Sequence, residues 1–472
     1  MVKHILSSLI LLCSTIGIGQ TFGNEWIHYD QNYYTFNIVA DGVYRIDYNT
    51  LAGSGIPLST IATPNMQIFG REKEIPLHII DGGDQSFDPG DYLLFFAEHN
   101  DSWLDSSLYL DPNSVGNPDY SLYNDTIKYF FTWNSQTNNK RFAVESDDDF
   151  NSYTPAPYWI QTIDKSYPVS YLEGKDASGV SSSFFMPGEG WASAPQNGVG
   201  GGYQLAIDTY TQSTYFGSDA PPVIFHGKTV SNSNAFFNGL GNHHYQWRIG
   251  PNNYLIQDDV YSGYAQRNVT ASFPVSEITG GTTPLSWSII DDQGATTDFQ
   301  SISYWSITYP KTPTLNGEDR GRFFIRNNPS ASKVRLELSN AALGNPIFFV
   351  LGPTPKVSPM TYTGSGYWNV LVSNSANGAN QEVVLQNLNN VPTIVQLTPV
   401  NGTGQFTDFS TLSSEKAILM IYHPILQAAT SDYANYRSSA AGGNHPVLLA
   451  DINELYLQFG GGIPKHIYGI RR

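Results

Sequence analysis

From residue 25 to about residue 410 the chain alternates short aromatic and β-branched runs with clusters of Gly, Asn, Asp and Pro. Runs this short, punctuated this regularly, read as strands closed by turns rather than as helices. The first stretch predicts strands at 33–39, 43–46, 67–69, 76–80, 92–96 and 126–133, with one helical turn at 50–55. A polar stretch over 134–157, containing Asp147-Asp148-Asp149, marks a boundary. Strands resume at 203–210, 223–225, 245–249, 268–273 and 302–309. Six more follow at 322–326, 333–338, 347–351, 367–372, 382–385 and 392–398. No fixed repeat period is visible, which disfavours a propeller or solenoid. The expected fold is mainly β: an N-terminal β-rich domain over 20–150, then a jelly-roll-like β-sandwich region over 151–410, as one domain or two.

Composition says where such a chain works. Charged residues are 14%, against roughly 25% in an average globular protein, while aromatics reach 14%. A surface dressed in Ser, Thr, Asn and Gly over an aromatic core suits an extracellular β protein. The formal net charge of −17, with no basic cluster, excludes a nucleic-acid partner. At the N-terminus Lys3 and His4 precede an apolar run over 5–18, and Gly17-Ile18-Gly19 offers small residues for cleavage before Gln20. The run is too short to span a bilayer, so residues 1–19 read as a signal peptide. The chain is expected to be exported, to the cell surface, the outer membrane or the medium. Its single cysteine, Cys13, leaves with the signal, so the mature chain has neither a disulfide nor a thiol nucleophile. No later stretch is apolar enough for a membrane span.

The pattern changes after Ser414. Residues 416–422 form a continuous apolar run of the kind buried on both faces of a sheet. Leu426, Ala429, Tyr433 and Tyr436 then recur at helical spacing over 425–441, stopped by Gly442-Gly443. A second buried strand is expected at 446–451, a short helix at 452–459, and a third helix from Pro464 to the C-terminus. This β-α-β-α order opens a parallel-sheet domain over 411–472. Two parallel strands leave apolar surface uncovered, so further strands are expected and the chain reads as a fragment. Residues 415–472 should then be the least protected part.

Particular residues resemble a known family. The run Lys416-Ala-Ile-Leu-Met-Ile-Tyr-His-Pro424, the helix with Asp432-Tyr433-Ala434-Asn435-Tyr436-Arg437, and Asp451-Ile-Asn-Glu-Leu-Tyr-Leu-Gln-Phe-Gly-Gly-Gly-Ile-Pro464 resemble the start of the gingipain-type cysteine peptidase domain. Upstream, Gly42-Val-Tyr-Arg-Ile-Asp47, Met66-Gln-Ile-Phe-Gly70, Phe87-Asp-Pro-Gly-Asp-Tyr-Leu-Leu-Phe-Phe96 and Asp101-Ser-Trp103 resemble the N-terminal region of larger members, including the surface sortase of the type IX secretion system. Residues 301–310 also resemble their β-sandwich. The resemblance implies a caspase-like fold, a Cys–His dyad, a protein or peptide substrate and contact with the type IX secretion machinery. Both dyad residues fall after the matched segment, so no residue of this chain is assigned a catalytic role and the chain alone is expected to be inactive.

Other features carry weaker chemistry. Asp81, Asp84, Asp88 and Asp91 lie close together in a turn-rich segment and make a candidate calcium loop, although their spacing also suits hairpin turns. His243-His244 followed by Asp258-Asp259 offers metal-ligand types, but adjacent strand residues face opposite ways. His423 and Asp451 end the two buried strands, where α/β sheets place functional groups; Asp451 also suits a helix N-cap. Gly188-Glu189-Gly190-Trp191 sets an acid beside an aromatic ring, able to touch a glycan or peptide. No serine-hydrolase elbow, zinc-protease motif or P-loop occurs. The alternative to a peptidase is a non-enzymatic adhesin or glycan-binding β protein.

Overall fold

The computed structural model describes residues 22–234, 241–339, 343–412 and 416–472. The expected signal peptide and Cys13 lie outside them. Alternation of apolar and polar residues builds three β cores. In Lys333–Leu338, for instance, Val334, Leu336 and Leu338 are buried while Lys333, Arg335 and Glu337 look outward.

The first unit packs two sheets face to face. One runs Thr398–Pro399, Tyr34–Ile38, Ile127–Trp133, Met66–Gly70, Lys73–Ile75; the other runs Thr393–Ile394, Gly42–Asp47, Tyr92–Ala97, His78–Ile80. Phe36, Ile46, Ile68, Leu93, Phe95 and Phe131 fill the space between them. Residues 393–399, which sequence alone groups with the sandwich region, thus pair with the first unit at Thr35↔Thr398 and Ile46↔Ile394. A chain tracing that left the first unit returns to close it.

Between departure and return lie two sandwiches sharing one ten-stranded sheet. Its first half faces the sheet Tyr203–Tyr210, Thr282–Ile289, His243–Ile249, Tyr254–Tyr261 across a core holding Phe225, Trp247, Trp287 and Ile307. Its second half faces Lys333–Leu338, Trp368–Ser373 and Thr361–Tyr362 across Phe323, Leu336, Phe348 and Val370. The halves meet at a single partner pair, Phe324↔Ile160. This region thus holds two cores under one sheet. A further cluster of Val43, Leu94, Phe142, Phe349 and Val384 packs the first unit against the second sandwich.

The C-terminal segment forms the expected α/β order. Ile418–Tyr422 pairs in parallel with Val447–Asp451, and the helix Gln427–Ser438 crosses between them. The helix Ile452–Gln458 follows. The third helix is shorter than expected, Tyr468–Arg471, because 460–467 turns through Gly461 and Gly462, both at positive φ. No helix among the described residues is long and apolar enough to cross a membrane.

Candidate functional site

The α/β segment divides into an open half and a seated half. In the open half Leu419, Ile421 and Leu449 on the strands, and Ile425, Leu426, Tyr433 and Tyr436 beside them, are all exposed. Parallel strands of this composition are normally covered on both faces. At their carboxyl ends His423 Nδ1 accepts from the Ile425 N–H at 3.3 Å and Asp451 Oδ1 from the Asn453 N–H at 2.9 Å. Both side chains therefore cap the helical turns that follow, which is the structural reading of Asp451.

The seated half is fastened to the first unit. Glu454 accepts from the Thr407 N–H at 2.6 Å and its hydroxyl at 3.0 Å, while Gln458 Nε2 donates to Glu454 and to the Thr407 carbonyl. The Lys128 N–H donates to the Gly462 carbonyl at 2.9 Å, and Asn124 Nδ2 to the Pro464 carbonyl at 2.8 Å. Ile463 is fully buried in the first core. Beside it lies a buried ion-type pair: His466 and Asp105, 0% and 1% exposed, meet at 3.0 Å through Nε2 and Oδ1. His466 Nδ1 accepts the Tyr468 N–H, so Nε2 carries the proton and donates it to the carboxylate. Tyr123 and Tyr468 pack on the imidazole. Residues 452–472 are thus fastened to the first unit through hydrogen bonds and the burial of Ile463, whereas the exposed apolar side chains of the segment lie mostly in the half before them, with Ile467 and Ile470 exposed beyond it.

The other residues singled out by sequence fall elsewhere. Asp81 Oδ1 and Asp84 Oδ1 accept from the N–H groups of Gly83 and Ser86, and Asp91 Oδ2 from that of Asp88. Asp81 also takes the Thr63 hydroxyl at 2.5 Å. The carboxylates of Asp81, Asp84 and Asp91 thus hold backbone turns, and no group of three or more His, Cys, Asp or Glu among the described residues is placed to hold a metal ion. His243 is buried against Asp298 at 2.7 Å, whereas His244 lies between Asp292 and Asp258. Burial opposes protonation of His244, yet the hydrogen bonds it donates to these two carboxylates raise its pKa. Glu189 accepts from Tyr171 Oη at 3.0 Å and from the Met186 N–H at 3.2 Å, and burial raises its pKa.

Two sets of residues escape a reading of the sequence. Arg322 reaches Asp41, Glu98 and Glu382, tying the first unit to the second sandwich, and Arg71 joins through Glu98. Asp119, beside Asp164, has its pKa pushed up to about 7, first by burial and then by the neighbouring carboxyl. Long-range partners like these leave no local signal.

No family model matches the chain, and no curated protein matches it. Among solved structures it is similar to dimeric latent PorU from Porphyromonas gingivalis, with a TM-score of 0.58 and 12% identity over 92% of this chain and 38% of that one. The chain therefore spans well under half the length of PorU. Two shorter matches cover 31% of this chain: the CBM36-1 domain of a multidomain xylanase from the hindgut metagenome of Trinervitermes trinervoides (TM-score 0.19, 14% identity, 96% of that chain) and the carbohydrate-binding module CBM36 in complex with calcium and xylotriose (TM-score 0.18, 15% identity, 98% of that chain). Scores that low carry no structural argument. The likeness to PorU is one of fold, and it extends over nearly the whole of this chain.

Proposed function

We propose that this chain is the β-rich, non-catalytic part of an exported gingipain-like cysteine endopeptidase of the sortase kind, which processes other secreted proteins. The observation that best supports this reading is the parallel pair Ile418–Tyr422 and Val447–Asp451 with its exposed apolar residues, on a chain sharing the PorU fold. Such a pair suits the opening of a caspase-like unit whose further strands bring the thiolate and the imidazole. The β units then act as a seat. Residues 452–472 hold the α/β unit in one orientation and leave its sheet free to be extended. Beyond Cys13 the 472 residues contain no cysteine, so they supply no thiol nucleophile to the mature chain. Its substrate is a protein or peptide, its partner the type IX secretion machinery, and its place the cell surface, outer membrane or medium.

The test is a peptidase assay under reducing conditions with a thiol-directed active-site probe. It compares this chain with the longest reading frame that contains it. Labelling and cleavage by the longer form alone are expected. A longer form that stays silent would move the case to a non-enzymatic adhesin or glycan-binding protein.

A further inference from the structure

Where the first unit meets the second sandwich there is a cleft of about 430 Å³, within the range of about 300–1,000 Å³ typical of ligand sites. Its walls are apolar and aromatic: Ile75, Phe96, Trp103, Tyr129, Phe142 and Leu351. One side is the strand Lys73–Ile75, which ends its five-stranded sheet and, among the described residues, pairs only with Met66–Gly70. An edge strand of this kind offers unpaired backbone groups to an added strand. The Arg71-Glu72 turn, with φ of 50° and 62°, joins the two strands. Gly70 is required there, since a Cβ would lie 2.0 Å from the Tyr129 ring. Just past the cleft Leu77 and Arg141 form a parallel bridge, so the groove runs between two chain segments that already come together.

Charge decides what fits. All three acids of the cleft are committed: Glu98 to Arg71 and Arg322, Glu382 to Arg322, and Glu74 Oε1 to the Lys140 N–H at 2.8 Å. Lys73 and Lys140 line the same cleft, and neither ammonium group has an ion-pair partner among the described residues. In a chain with a net charge of −17, two free cations beside an aromatic groove favour an occupant with an apolar body and one anionic end.

We propose that this cleft binds the C-terminal end of an extended apolar peptide. The peptide backbone adds to the Lys73–Ile75 edge, its side chains enter the aromatic walls, and its terminal carboxylate meets Lys73 and Lys140. The proposal is independent of the peptidase reading.

The test uses fluorescence polarisation on the full chain. The probe is an N-terminally fluorescein-labelled valine–leucine tetrapeptide, as the free acid and as the C-terminal amide, with decanoate as a non-peptide competitor. The free acid should bind at least about fivefold more tightly than the amide. Lys73→Met and Lys140→Met together should bring the acid down to the affinity of the amide and leave the amide unchanged. Both lysines are exposed, so the fold survives the change. Decanoate should displace the probe far less well than the unlabelled peptide acid. Equal binding of acid and amide, no binding of either at millimolar concentration, or displacement by decanoate as readily as by peptide would each overturn the proposal.

Discussion

Among single residues, His466 is the one on which the seating of the α/β segment turns. Its two nitrogens are both used, one accepting from the Tyr468 N–H and one donating to Asp105. His466→Ala leaves a buried carboxylate short of a donor and opens a hole between two tyrosines. The expected loss is about 2–4 kcal/mol, read as faster amide exchange confined to residues 452–472. A second prediction concerns pH. Asp119, raised to about 7 by burial and by Asp164, keeps its proton in the native state at pH values where the unfolded chain has released it. Its contribution to stability is therefore full below about pH 4 and is lost as the pH rises through 7. Denaturant midpoints measured between pH 4 and 8 should fall across that window, and Asp119→Asn should flatten the fall. Neither residue is legible in the sequence as anything but an ordinary His or Asp. Asp105 and His466 lie 361 positions apart, and only the return of the chain onto the first unit brings them together.

Strands and helices are more readable than single residues, and the exceptions have physical causes. Strands with clean alternation, such as Lys333–Leu338, stand out because one face is buried and the other is wet. Thr282–Ile289 escapes notice because Pro284 argues against a strand. The proline lies one residue outside the stretch paired to His243–Ile249, at Leu285↔Ile249, so its missing N–H leaves that ladder intact. Tyr254–Tyr261 is hidden because it is a sheet edge with Asp258 and Asp259 in it, which blurs the period of two. At the other extreme, Gly462 makes a sharp prediction for its turn. It has φ of 78°, and a Cβ there would lie 2.7 Å from the Lys128 carbonyl. Gly462→Ala should cost about 1–3 kcal/mol and make residues 452–472 cleavable in limited proteolysis. The parallel pair predicts the opposite behaviour. Leu419→Lys with Leu449→Lys should leave the circular dichroism unchanged and reduce self-association, measured by sedimentation velocity, because both side chains are exposed.

For the molecule as a whole, the mainly β class and the α/β ending are legible, because composition and period carry both. What stays hidden is the routing. No local pattern says that 393–399 rejoins the first unit, since strand pairing over such a separation is decided by register and burial. The routing also sets a timetable. As the chain emerges from the ribosome, Tyr34–Ile38 and Gly42–Asp47 each wait with one side open until both sandwiches, through Gln381–Asn387, have been delivered. The two sandwiches can complete their own cores during that wait, whereas the first unit cannot. It is first in sequence and last to close. Anything that stalls delivery between residues 133 and 393 strands it with two unsatisfied sheet edges, ready to pair with the wrong chain.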